Sequence, residues 1–230
     1  MNKNISVWLI IPQTNLHVGN ESVVNFSVID KAVQRDVVTD IPCINSSSLK
    51  GALKEYLDQE TDMKKDTIKE LFGSVKKDGN DKSDKNDDTQ KGSAVFFDAN
   101  LLFIPERCID GKSVYQLVYS DEVIDDFMKR VHALGATCDK AELTKDKVKV
   151  KKEEFKELCS DDALPIIARN CLDNGESVNL WYEQVVPSRS VFATMIMTPN
   201  SELDEALNGK IVQIGAHATI GYGYCKMVKL

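Results

Sequence analysis

"IGAHATIGYGYCKM", residues 214–227, places Gly215, Gly221 and Gly223 around His217, just ahead of the closing stretch "YCKMVKL". Glycine admits positive φ and lets another backbone come close. Successive N–H groups of such a loop can line a concavity for phosphate. A tight turn into a last strand explains the same letters, and the spacing is neither a P-loop nor a dinucleotide fingerprint. What the loop does therefore depends on what the rest of the chain brings beside it.

Working outward, the far end of the chain opens on "ISVWLIIP", residues 5–12, a β-branched and aromatic run stopped by Pro12, which reads as a strand. An early loop over 12–45 follows. It has no helical period, yet too many Val and Ile residues for disorder. "SSSLKGALKEYLDQ" reads as a helix, with serines 46 to 48 able to cap its first turn and Leu49, Leu53, Tyr56 and Leu57 on one face. "DTIKELFG" reads as a second helix ending at Gly73. Residues 75–93 carry Lys, Asp, Asn and Gly without core-forming residues and read as a disordered loop.

"SAVFFDANLLFIP" and "SVYQLVYS" read as strands, and "DEVIDDFMKRVHALG" as a helix with acids at its start and bases at its end. Residues 137–177 form a charged insertion. "SVNLWYEQVVPSRSVFATMIMTP" holds two apolar runs broken by "PSRS", a hairpin or bent strand pair within about 178–199. "SELDEALNGK" is a short helix before "IVQIG" and the glycine loop. Strands interleaved with a few helices predict an α+β fold, helices on an antiparallel sheet, in one domain over residues 1–230.

Composition narrows the class. The chain has 230 residues, 42% hydrophobic and 28% charged, as in ordinary globular proteins. No apolar run is long enough to span a bilayer, so no membrane partner is expected. The six cysteines follow no pairing or zinc spacing and predict reduced thiols in a cytoplasmic protein. The net charge of −7 argues against a generally basic nucleic-acid binder, though not against a local basic groove.

Four features carry possible chemistry. The glycine loop is one. The helix start "SSSLKG" is another, since free N–H groups with Ser47, Ser48 and Lys50 suit an anion as well as an ordinary cap. His17 and Asp30 lie in the early loop, Asp30 in the apolar setting "FSVIDKAV", where a carboxylate is either bonded to backbone or used. The pair Arg35–Asp36 reads as a surface ion pair.

Together, "LHVG", "VIDKAVQRDVVTDIPCINSSSLKGAL", "DANLLFIPERCIDGKSVYQLVYS", "NLWYEQVVPSRSVF" and "GAHATIGYGYCKM" resemble the RAMP superfamily of CRISPR-associated RNA-binding proteins. More narrowly, they resemble the backbone subunit of Cmr-type (type III-B) effector complexes. The resemblance covers most of the chain except 75–93 and 137–177. It implies an RRM-like (ferredoxin-like) core with insertions, a palm, and a β-hairpin thumb. It implies copies of this chain in a helical filament on a guide RNA (crRNA), together with other subunits, cutting a complementary target RNA for antiviral defence. Asp30 would be the catalytic residue, holding Mg²⁺ or Mn²⁺ or taking the 2′-OH proton. Tyr182 and Glu183 would approach the cleavage site. His17, Ser47, Ser48, Lys50, Gly215, His217, Gly221 and Gly223 would contact RNA. The groove would include Lys50, Lys54, Arg107, Arg169, Arg189 and Lys226. Two departures stand out: Asn45 where the family usually has Gly, and Lys54 where it has Arg. The alternatives are a non-catalytic guide-binding scaffold and a metal-independent precursor-processing nuclease with His17 as base.

Overall fold

The apolar run "VWLII" forms a strand buried on both faces, which is why it lacks polar alternation. The computed structural model describes residues 4–19, 29–74, 90–109, 111 and 113–230. The first elements are β1 (Asn4–Pro12), β2 (Cys43–Ile44), α1 (Ser46–Glu60), α2 (Lys65–Phe72), β3 (Gly73–Ser74), β4 (Gln90–Lys91) and β5 (Val95–Phe96). Next come β6 (Ala99–Arg107), β7 (Tyr115–Tyr119), α3 (Asp121–Ala133), α4 (Lys140–Thr144), β8 (Val148–Lys149) and α5 (Lys152–Leu158). The chain ends with β9 (Ile166–Asp173), β10 (Glu176–Gln184), β11 (Val191–Thr198), α6 (Glu202–Leu207), β12 (Ile211–Gln213) and β13 (Tyr224–Lys229).

The main sheet runs β12-β13-β1-β11-β6-β7-β8, with β2 added on β6 and β5 on β11. Its middle, β13-β1-β11-β6, is antiparallel throughout. In chain order those strands are β1, β6, β11 and β13, with α1 between the first two and α6 between the last two. That is the βαββαβ plan of a ferredoxin-like core, so the expected α+β, RRM-like core is present. Only the β7–β8 pairing is parallel among the described strands.

Two cores flank the sheet. On one face Trp8, Ile10, Phe192, Ile196 and Met227 pack with Leu49, Leu53 and Leu57 of α1 and with Leu203 and Leu207 of α6. The i, i+4, i+8 spacing of the three α1 leucines makes that contact, and Tyr56 packs beside it, partly buried. On the other face Val7, Leu102, Phe103, Ala193 and Met195 meet Ile124, Phe127 and Val131 of α3. An open RRM sheet offers that face to bases; here α3 covers it over β6 and β11. Phe127 is fully buried, so truncation to Ala would cost about 3–5 kcal/mol.

Several local readings shift. Ser46 is the first residue of α1 rather than its cap; Asn45 holds the cap position without a side-chain bond to the helix's free N–H groups, and Asp98 Oδ1 accepts the Ser46 N–H at 2.6 Å. The charged insertion over 137–177 contains α4, β8, α5, the whole of β9 and the start of β10. The hairpin expected within about 178–199 lies earlier, at β9–β10, while β11 belongs to the main sheet. "PSRS" is the corner where the chain leaves the hairpin for the sheet. The loop expected over 75–93 falls mostly outside the described residues. Cys43, Cys138, Cys159, Cys171 and Cys225 are free thiols, and no described helix is long and apolar enough to cross a membrane.

Candidate functional site

Hairpin β9–β10 stands away from the body: Leu172, Val178 and Leu180 are exposed, whereas Glu183 and Gln184 at its root are fully buried. One edge of β10 is paired to β9. The other edge takes the early loop. The amides of Asp30 and Lys31 donate to the Tyr182 carbonyl at 3.0 and 3.1 Å, and the Gln184 amide donates to the Lys31 carbonyl at 2.9 Å. The Tyr182 amide donates to Asp30 Oδ2 at 2.7 Å. Asp30 thus sits exposed at the hairpin root, its carboxylate aimed by backbone.

Beneath it lies Glu183. Its Oε1 accepts from Lys31 Nζ at 2.9 Å and Trp181 Nε1 at 2.8 Å, and it lies 2.9 Å from His217 Nε2. Arg169 Nε is 3.5 Å from Oε2, an ion pair without a hydrogen bond. Burial pushes the Glu183 carboxyl up. The hydrogen bonds from Trp181 and Lys31 and the charges of His217 and Lys31 outweigh burial and hold it at about 2. An isolated carboxylate would not stay ionised there. Lys31 lies over the Trp181 ring at 5.2 Å, and Arg169 over Tyr222 at 5.4 Å. One anion therefore gathers Lys31 of the early loop, Arg169 of the hairpin and the His217 imidazole of the glycine loop.

His17 is placed inside, only 3% exposed, with Nδ1 2.7 Å from the Gln184 carbonyl. That carbonyl can only accept, so Nδ1 carries the proton. Burial, partly offset by this bond, lowers the ring's pKa. The expected direct RNA contact by His17 is corrected: the ring faces protein and fixes the hairpin root. The glycine loop has a similar inner task. A Cβ on Gly215 would lie 2.3 Å from the His17 carbonyl, which accepts the Ala216 amide at 2.9 Å. A Cβ on Gly223, itself buried, would lie 2.0 Å from the Ile214 carbonyl. These two glycines admit the chain's own backbone, not first an RNA phosphodiester. Gly221 has open space around it, and His217, with φ 68°, is partly exposed.

The structure brings Asp30, Tyr182, Glu183, His17, His217 and Gly215 into one cluster. It sets Ser47 and Lys50 elsewhere, in a hollow with Ser46, Lys91 and Phe96 at the start of α1; Ser48 is exposed on the first turn. Asp98 already occupies one N–H of that turn, which weakens it as an anion site. Of the other groove cations, Arg169 belongs to the cluster, Arg189 stacks on Tyr115 at 5.2 Å, and Lys54, Arg107 and Lys226 are exposed on α1, β6 and β13.

Sequence reasoning missed Lys31, Trp181 and Gln184. Trp181 and Glu183 share a face by strand alternation, so a strand reading of "WYEQ" does pair them. Gln184 is the buried bridge: Oε1 accepts the Val33 amide at 3.2 Å, and Nε2 donates to Asp161 Oδ1 at 3.1 Å. Arg35 is no surface pair with Asp36; it binds Asp161 at 2.7 Å and the Cys159 carbonyl at 2.7 Å.

Among the described residues, no three His, Cys, Asp or Glu side chains converge as a metal cage. A single exposed carboxylate fits an octahedral divalent ion that keeps waters and takes phosphate oxygens, but not a zinc-type site.

A ferredoxin-like core, a protruding hairpin and a glycine loop locked to the early loop define a RAMP-type RNA-binding fold. The RAMP superfamily pattern matches residues 10–226, and the chain belongs to that superfamily. It is 26% identical to the Pyrococcus furiosus protein named CRISPR system Cmr endoribonuclease Cmr4, over 93% of this chain and 92% of the relative. Its fold is similar to a chain of the type III-B Cmr-beta complex in its apo state, with a TM-score of 0.77 and 21% identity over 98% of this chain and 97% of that one. It is also similar to oligomeric Cmr4 from Pyrococcus furiosus, with a TM-score of 0.72 and 21% identity over 99% and 98% of the two chains.

Proposed function

We propose that this chain is a crRNA-binding backbone subunit of a type III-B CRISPR effector, and that it cleaves complementary target RNA at regular intervals. The observation that carries this reading is Asp30: an exposed carboxylate fixed by the Tyr182 amide at the root of a protruding hairpin, above an array of cations. The Cmr4 relative is named an endoribonuclease, and the Cmr-beta complex, whose chain shares this fold, has also been solved with cognate target RNA. Both support the reading.

RNA carries its own nucleophile, the 2′-hydroxyl. Cutting it requires a base, an in-line geometry and relief of phosphate charge. Asp30 accepts the 2′-OH proton or holds Mg²⁺ or Mn²⁺, which when bound would neutralise charge on the scissile phosphate. The hairpin parts neighbouring nucleotides and sets the bend. Tyr182 fixes Asp30 through its backbone, and Glu183 acts through Lys31 and His217. Ser47, Ser48, Lys50 and the exposed part of the glycine loop hold guide RNA backbone. Copies of the chain repeat along the guide as a helical filament with other subunits, in the cytoplasm. His17 as the base of a precursor-processing nuclease is disfavoured by its burial and its bond to Gln184.

The test is an assembled complex with a defined guide and labelled target. Evenly spaced cuts that need Mg²⁺ or Mn²⁺ and vanish in Asp30→Asn support the reading. Full target binding with an uncut strand leaves the scaffold reading.

A further inference from the structure

After the hairpin the chain turns a corner, Pro187–Ser188–Arg189, at the end of the sheet where β1 finishes. Arg189 has φ 74°, in the left-handed region that suits glycine. Its amide donates to the Pro12 carbonyl at 2.7 Å. The Ser188 amide donates to Asn15 Oδ1 at 3.3 Å, and the Gly223 amide donates to the Asn15 carbonyl at 2.9 Å. Asn15 thus ties the corner to the glycine loop. The corner aims the Arg189 guanidinium, which lies 5.2 Å over the Tyr115 ring and donates to Ser188 Oγ at 3.2 Å. An exposed cation–π contact returns no more than a left-handed arginine costs. Stability of the fold therefore gives no reason for an arginine here, and an observed outlier of this kind points to function.

The pair faces solvent. Arg189 is exposed, Tyr115 is 40% exposed, and Val114 and Ile109 near the tip of the same β6–β7 turn are almost fully exposed. Arg107, also exposed, stands directly opposite Tyr115 in the β6–β7 register, so both side chains leave one face of the strand pair. Glu106 leaves the other face, where its carboxylate accepts from Gln116 Nε2 at 3.0 Å. Alternation thus turns the neighbouring acid away from Tyr115 and leaves two arginines beside the ring.

An aromatic face, a planar cation stacked on it and a second cation alongside are the groups that hold an unpaired base and its phosphate. We propose that Tyr115 and Arg189 form a base-stacking subsite for single-stranded RNA, with Arg107 on the adjoining phosphate. The subsite tolerates any sequence, because every base has a π-face. It uses no group of the cluster around Glu183. It rests on the RNA-binding reading above, and the base comes from either the guide or the target strand.

The test measures guide binding by the full chain and target binding by the guide-loaded complex. Tyr115→Leu keeps bulk and removes the π-face. It should weaken binding of one strand about 10-fold, the size of one lost base stack. The slope of log affinity against log salt should not change, because no charge is removed. Arg107→Gln should lower that slope by about 0.7, the single-strand value per phosphate. Arg189→Gly should weaken the same strand as Tyr115→Leu yet melt no lower than wild type, since glycine takes this φ without strain. Photocrosslinking with iodouridine placed in the guide or in the target identifies the strand, by which of the two is joined to Tyr115. A corner that serves the fold alone would lose stability in Arg189→Gly and keep its affinity. Unchanged affinity for both strands in Tyr115→Leu and Arg189→Gly, or no crosslink from either strand, overturns the subsite alone. A wild-type chain that binds neither strand overturns the RNA-binding reading and the subsite with it.

Discussion

His217 Nε2 and Glu183 Oε1 lie 2.9 Å apart, joining the glycine loop to the root of the hairpin. Lys31 reaches the same oxygen from the early loop. Three stretches far apart in sequence thus share one buried anion, and the geometry around Asp30 depends on it.

Removing that anion leaves its donors facing each other. Glu183→Ala should cost about 3–5 kcal/mol, as for other broken buried ion pairs, lowering Tm by roughly 6–20 °C for a chain of this size. An unchanged melting curve would mean the cluster is not formed in solution.

The same carboxylate sets an acid limit. Its folded pKa of about 2 is below its ordinary 4.5. Its contribution is therefore complete above about pH 4.5 and is lost as pH falls through about 2, roughly 3 kcal/mol in all. The stability gap between wild type and Glu183→Gln, followed by denaturant titration, should narrow over that window. A gap independent of pH from 5 to about 2 would contradict the linkage.

Gly215 and Gly221 share φ 84°, but only Gly215 faces a backbone carbonyl, at 2.3 Å from its would-be Cβ. Gly221→Ala should cost about 1–2 kcal/mol, the left-handed penalty alone. Gly215→Ala should cost clearly more, because the contact with His17 must open. Equal losses in paired thermal melts would remove the packing role of Gly215.

The fold was largely legible. Strand β1, the α1 leucines, the acid-to-base polarity of α3 and the glycine turn before β13 are local patterns, and each appears where its letters place it. The hairpin's place was misread. "PSRS" signals a turn, but tertiary pairing of Val191–Thr198 with β1 turns that corner into an exit from the hairpin. The serine cap failed because its competitor, Asp98, arrives from 52 residues away. His217 and Asp30 stand out from the residues themselves, and Glu183 only through the resemblance. Their union around Lys31 was invisible, since 152 positions separate Lys31 from Glu183.

Gln184 ties Val33 of the early loop to Asp161. Gln184→Leu keeps the bulk and leaves the buried Val33 amide unpaired, a loss of about 1–3 kcal/mol. Hydrogen exchange should quicken locally around residues 31–35 and 159–161 while the main sheet stays protected. Protection unchanged at both segments would show that the bridge is not formed.

Lys50 stands at the start of α1 beside Lys91, Ser46 and Ser47. If it neutralises one guide phosphate, Lys50→Ala should lower the slope of log affinity against log salt by about 0.7, the single-strand value per phosphate. An unchanged slope would remove Lys50 from the RNA contact.

The most direct measurement is target cleavage by the assembled complex with wild-type chain and with Asp30→Asn, each with and without Mg²⁺, alongside target binding. Evenly spaced, metal-dependent cuts by wild type, and intact but equally well bound target with Asp30→Asn, are expected. Undiminished cutting by Asp30→Asn would contradict the assignment of the chemistry to the hairpin root.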